Sequence, residues 1–436
     1  MQKFFFSFLL LLSGAALAQD EYSGQGQVSL EFRQFEKDQS ELTEDTNISI
    51  FSRIEQRYKS DPFEHVFRGY ARVDKKDQNR SFVALEDAYF SAFLAEEYKI
   101  LAGYKLFNWT ATEAFHPADV INSRNFDSNL ENLEKKGELT IEFEVPFFNG
   151  AMAFYYFPRF EEPEYPGERS RLSSVTLQRS VVVDGTDYTT NEYWTNQYGF
   201  RLTQVIMDAD ISLHYLNHID RNMPLVGTTN YTTILGSLTP LTSQVTPYYY
   251  RKTQVGGTYQ QVFGDLILKL EFAHRTFEQD TKVLTAKSAV LKSQGAGAYE
   301  TKFIENHTEA AFGLEYVMSL PGGIDGNFFL EGNGIFGVDE VERQERSTFQ
   351  RDIMVGFRLA FNDVMGSEIY TTLITDIERD SEYLINFKYS RRLSDNWKFD
   401  GGIRIIEAPQ KNPAIKEGLE VLDGDSYIFT NLTRYF

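Results

Sequence analysis

Cysteine is absent from all 436 residues, which excludes disulfides and thiolate metal sites and leaves burial and backbone pairing as the sources of stability. Base is scarce relative to acid: 43 Lys and Arg stand against 63 Asp and Glu, a formal charge of -20. That balance argues against nucleic acid as a partner, because neutralising phosphates requires a basic surface. Long apolar runs are lacking too. After the first 18 residues no segment has the length and apolarity of a transmembrane helix. If such a chain enters a bilayer it must do so as a closed barrel, since lipid cannot satisfy an open sheet edge.

What is present points that way. The opening MQKFFFSFLLLLSGAALAQD has a basic start at Lys3, an apolar run from Phe4 to Leu12 and the small-residue signature Ala16-Leu17-Ala18. This reads as a secretory signal peptide over 1–18, cleaved after Ala18, followed by one exported domain over 19–436. Cleavage removes Lys3 and no acid, so the mature chain is more acidic still. Acid collects in runs at 41–46, 161–168 and 339–345, read as solvated loops. Aromatics make up 15% of the chain beside a mean hydropathy of -0.38, as expected where apolar and polar residues alternate on a surface.

The alternation is explicit. In Gln27 to Arg33, Val28, Leu30 and Phe32 share one face and the polar residues the other. In Gly137 to Val145 the apolar face is Leu139, Ile141, Phe143 and Val145, against Glu138, Thr140, Glu142 and Glu144. The same period of two runs through 265–275, 352–361 and 382–389. A helix would scatter these residues around its cylinder, so the segments are predicted as strands. Short connections near 59–62, 95–97, 146–150, 207–210, 263–265, 321–325, 362–368 and 394–396 interleave with mostly longer ones near 37–46, 74–80, 108–137, 158–192, 220–247, 278–306, 337–348, 379–381 and 407–424. This predicts an all-β transmembrane antiparallel barrel of about 18 strands, between 16 and 18, with both termini on the short-turn side. Short turns would face the periplasm and long loops the exterior. Aromatics near strand ends, among them Tyr193, Trp194, Tyr248 to Tyr250 and Trp397, suit interfacial girdles.

The stretch FVALEDAYFSAFLAEEYKILAGYKLFNW, followed by HPADVINSRNF, is similar to Gram-negative outer-membrane barrels of the alginate-export porin group and its uncharacterised relatives. Glu86 and Tyr89 stand one residue further apart than in that group, Gly103 to Trp109 match its Gly-led strand, and Asp119 to Asn122 its loop core. Thr110 replaces a usual Gly and Ser123 a usual Pro. The resemblance implies a passive or facilitated outer-membrane channel. The last strand, SYIFTNLTRYF, ends at Phe436 and resembles the signal by which the barrel-assembly machinery recognises its clients. Membrane lipid, lipopolysaccharide and a small polar solute complete the expected partners.

No constellation for catalysis, cofactor or metal emerges. His214 and His218 on one strand face would stand about 13 Å apart at roughly 3.3 Å per residue, too far to share an ion. The Gly-containing segment 295–299 lacks the strand and helix of a nucleotide site. The polar face instead gives a lumen wall of mixed sign: Arg53, Glu55, Arg57, Arg68, Arg72, Lys105, Glu142, Glu144, Arg201, Lys269, Glu271, Arg358, Lys388, Lys398 and Arg404. Such charges set selectivity or brace the wall. The third long connection, 108–137, is expected to fold into the lumen as a constriction. Trp109 would lie near the wall, and His116, Asp119, Asn122, Arg124 and Asp127 would line the passage or pair with Arg68, Arg72 and Lys105. The channel reading competes with a structural or adhesive barrel that has acidic surface loops and a closed lumen.

Overall fold

A computed structural model describes residues 21–37, 42–95, 97–129, 132–172, 181–184, 186–188, 193–221, 225–234, 237–277, 282–286, 299–379, 381–411 and 418–436. The signal-peptide reading lies outside these residues. Eighteen antiparallel strands form the wall. In chain order they are β1 (Glu21–Phe35), β2 (Thr46–Ser60), β3 (Phe63–Asp74), β4 (Phe82–Leu94), β5 (Tyr98–Lys105) and β6 (Glu138–Phe147). There follow β7 (Gly150–Phe160), β8 (Tyr193–Ile206), β9 (Ala209–Ile219), β10 (Arg251–Phe263), β11 (Leu266–Phe277) and β12 (His307–Leu320). The wall is completed by β13 (Ile324–Phe336), β14 (Asp352–Ala360), β15 (Glu368–Asp376), β16 (Tyr383–Ser394), β17 (Trp397–Glu407) and β18 (Tyr427–Tyr435).

Each strand pairs with its chain neighbours, and β18 pairs with β1 from Gln27 opposite Tyr435 to Phe35 opposite Tyr427. The sheet is thereby closed and has no edge. Glu21 lies opposite Lys59 and Arg434 opposite Trp397, so the start of β1 and the end of β18 meet the rim that carries the turns at 61–62 and 395–396.

The period of two sorts side chains by face. Leu30, Ile50, Ile141, Phe143, Leu270, Phe312, Phe357 and Ile403 are exposed on the outside, while Glu142, Glu271, Glu331 and Arg404 are buried inside. Apolar outside and charged inside reverses the order of a soluble protein and is what hydrocarbon demands of a spanning barrel. Aromatics crowd the strand ends, as with Phe63, Tyr98, Phe148, Trp194, Phe263 and Trp397.

The connections hold structure of their own. Hairpins form at Arg124–Asn129 with Asn132–Lys135 and at Leu225–Ile234 with Ser237–Tyr249. The acid run at 339–345, expected to be a solvated loop, instead builds the helix α1 (Glu340–Arg346). Asp339 caps it by accepting from the Glu342 N–H at 2.9 Å, and Glu342 is buried in an ion pair with Arg346 one turn on. The run at 161–168 is likewise partnered, with Glu161 bonded to Arg159 and Tyr104 and Glu162 to Tyr193 and Tyr249.

Candidate functional site

The residues between β5 and β6 leave the wall earlier than the sequence suggests, at Lys105, and rejoin it at Glu138. Asn122 holds the two ends together. Its carbonyl accepts from the Phe107 N–H at 2.7 Å, and its amide donates to the carbonyls of Lys105 (3.1 Å) and Lys136 (2.7 Å). At the re-entry point Gly137 donates to the Leu85 carbonyl at 2.7 Å. A Cβ at Gly137 would stand 2.2 Å from the Glu86 carbonyl oxygen, so only glycine fits that approach. Opposite lies a bulge: Arg68 pairs with Asp87 and Gly69 with Leu85, leaving Glu86 as an extra residue. Glu86 and its neighbour Asp87 are both buried there, reaching Arg53 and Arg68 respectively.

Asp119 organises the body of the connection. It accepts from the Trp109 N–H at 3.3 Å, pairs with Arg124 at 3.3 Å and binds the Lys135 ammonium. Burial alone would raise its pKa; the Lys135 and Arg124 charges reverse that and hold it below the usual carboxylate range. Lys135 also donates to the Phe107 carbonyl at 3.1 Å. On one flank Asp127 meets Arg80 at 3.0 Å and Arg33 at 3.8 Å, while Glu134 takes the Arg72 guanidinium at 2.6 Å. Arg72 divides itself between Glu134 and Glu31.

On the other flank Phe107, Trp109, Val120 and Ile121 pack on the inner-wall residues Ala153, Tyr155, Phe157 and Leu216. The Arg201 guanidinium lies 4.8 Å over the Trp109 ring, and the His214 ring is 5.1 Å from it. Trp109 therefore lies against the wall.

The tip, 111–118, reaches β11 and β13, six and eight strands on from β5 in a wall of 18. Glu271 accepts from the N–H groups of Ala111 (2.5 Å), Thr112 (2.9 Å) and Ala118 (3.3 Å) and from the Thr112 hydroxyl (2.8 Å). Glu331 accepts from the N–H groups of Glu113 (2.6 Å) and Ala114 (2.9 Å). Lys269 pairs with Glu113 at 3.1 Å, and His116 stands 3.8 Å from Glu271. Two buried carboxylates thus satisfy five backbone donors of a segment that has no ladder of its own.

Lys105 binds Glu142, Lys398 binds Asp400 at 3.0 Å, and Glu144 lies half-buried opposite Lys99. Arg358 lies over Phe329 and Tyr370 at 5.5 and 5.3 Å, and Arg404 over Tyr427 and Phe429. Arg72 meets the connection through Glu134, not through the residues expected to line the passage. Arg68 turns to Asp87 instead, and Lys105 contributes its carbonyl to Asn122. Sequence reasoning missed Glu331, Arg80, Glu134 and Lys135. Glu331 breaks a glycine-rich apolar strand, which is the one visible signal among the four.

His214 and His218 have separate neighbours, Gln254 and Arg221. Among the described residues no three His, Cys, Asp or Glu side chains gather as a metal group.

No family model and no curated protein matches the chain. Similar solved structures include Salmonella typhi OmpF in complex with daunomycin (9% identity, 95% of this chain and 97% of that chain, TM-score 0.43). A mutant of Rh. blastica porin matches with 12% identity over 95% and 100% of the two chains, TM-score 0.41. Pseudomonas aeruginosa OccD3 (OpdP) matches with 8% identity over 95% and 91%, TM-score 0.49. These are likenesses of overall form, and the closed barrel rests on the strand register of this chain.

Proposed function

We propose that this protein is a porin-like channel of a bacterial outer membrane, through which small polar solutes diffuse without a catalytic step. In this reading the connection 106–137 is the constriction, and the long connections face outward. The observation that carries it is the tie of the tip at 111–118 to Glu271 and Glu331, on an inner wall that carries charged and apolar residues together. A segment anchored so far from its own strands narrows the lumen and sets the field in it. Asn122, Asp119 and Asp127 hold its shape, while His116, Arg124 and Glu113, less buried, meet solute. Purified protein in liposomes should admit small sugars and amino acids and reject larger oligosaccharides; uptake no faster than in protein-free liposomes would end this reading.

A second reading, a structural or adhesive barrel with a closed lumen, draws support from the apolar cluster that joins Phe115 and Leu172 to the inner wall. Deleting 158–192 would then abolish attachment and leave permeability unchanged.

A further inference from the structure

Inner-face residues of β13 to β17, Phe329 at mid-strand and Met354, Ile374, Leu384 and Ile406 toward the long-connection end, are at most 2% exposed. In a wide barrel such positions face water unless something covers them. Their cover is Phe115, from the 106–137 connection, with Leu172 from the next and Leu419 and Leu422 from the turn Gly418–Leu422. Toward the short-turn rim the same inner faces open again: Asp325 is exposed and Asn327, Arg358 and Lys388 are half-buried. The apolar layer thus covers this part of the inner wall toward the long-connection end.

Beside Leu172, one guanidinium fastens that layer. Arg171 donates through Nε to Asp425 Oδ1 (2.9 Å), through Nη1 to the Glu36 carbonyl and Asp45 Oδ1 (each 2.6 Å), and through Nη2 to the Gly424 carbonyl (2.9 Å). It also lies 5.7 Å over the Phe35 ring, a member of the cluster. Three connections, 36–45, 161–192 and 408–426, are joined by this side chain. A second tie runs alongside, where the Glu44 N–H donates to the Arg169 carbonyl at 2.8 Å and the two side chains pair. The planar fork of arginine suits such a junction, because it directs several charge-assisted bonds from one group.

We propose that Arg171 and Leu172 form a latch that shuts the long-connection mouth of the channel, so that opening is the withdrawal of 167–172 from the apolar cluster. This rests on the channel reading and adds regulation to it. All the fastened groups lie on connections, so the latch can release without breaking a wall ladder.

The test is single-channel recording of the full chain in planar bilayers, comparing wild type with Arg171→Ala, Arg171→Lys and the double variant Glu44→Cys with Arg169→Cys. The chain has no other cysteine, and the 44–169 backbone bond brings the two positions within disulfide reach. Arg171→Ala should raise the open fraction by about tenfold or more, which corresponds to about 1.4 kcal/mol. Arg171→Lys should fall between, keeping the charge without the fork. Oxidation of the double variant should hold it shut and reductant should restore opening. That variant retains Arg171 and decides the matter if Arg171→Ala fails to fold. A conducting wild type, with an open fraction unmoved by Arg171→Ala or by oxidation, overturns the latch and leaves the channel standing. Silence from every protein removes the channel reading and the latch with it.

Discussion

Glu271 shows how one side chain decides where a long segment lies. Its Oε1 takes two backbone N–H groups and a hydroxyl, and its Oε2 a third N–H, in a buried site. Hydrogen bonds to a charged group are worth about 1.5–3 kcal/mol each, and a lost acceptor leaves buried donors unsatisfied. Glu271→Gln turns half of that acceptor into a donor aimed at other donors. Hydrogen exchange at 111–118 should accelerate by about tenfold or more in this variant, with the wall strands unchanged. Equal protection in both proteins would show that apolar packing at Phe115 and Trp109 places the tip unaided. Asn122 does comparable work at the root, and Asp119 between the two.

At the scale of elements, strands and connections obey different rules. A strand pattern such as LTIEFEV states its own orientation, because each residue's face follows from its parity. The wall was therefore legible in the sequence nearly strand for strand, whereas Asp119 and Asn122, expected to line the passage or pair with the wall, are buried holding the backbone of the connection itself. What could not be read were the far contacts. The donors to Glu271 are backbone N–H groups some 160 positions away, and a backbone donor leaves no mark in sequence. Arg171 was hidden for a related reason, since its acceptors include two carbonyls. The helix at Glu340–Arg346 was passed over because its acids look solvated until Arg346 is seen to pair with the buried Glu342.

Connections also titrate. Glu382, just before β16, has its pKa pushed up to about 7 by burial, with Arg379 opposing and Asp376 and Glu420 adding to the rise. A folded-state value above the ordinary 4.5 contributes stability that is present below that pH and is lost as pH rises through about 7. Arg379 joins Glu382 to Glu420 on the 418–422 turn. Exchange at 418–422, corrected for the intrinsic pH dependence, should be slower at pH 5 than at pH 8, and Glu382→Gln should abolish the difference. A difference that persists in Glu382→Gln would assign it to another group.

As a whole the molecule is a closed wall that turns apolar side chains outward and most of its charges inward, with the connection 106–137 reaching across the interior. A wall of 18 strands is wide enough for water, so passage depends on what is folded inside it. The most direct test is the unit conductance of the wild type beside a variant in which 111–118 is replaced by a short Gly-Ser link, both in planar bilayers at the same salt. Discrete openings from both, with larger steps from the shortened protein, are the expected result. Equal step sizes, or openings from neither, would contradict the claim that this connection forms the constriction of a channel.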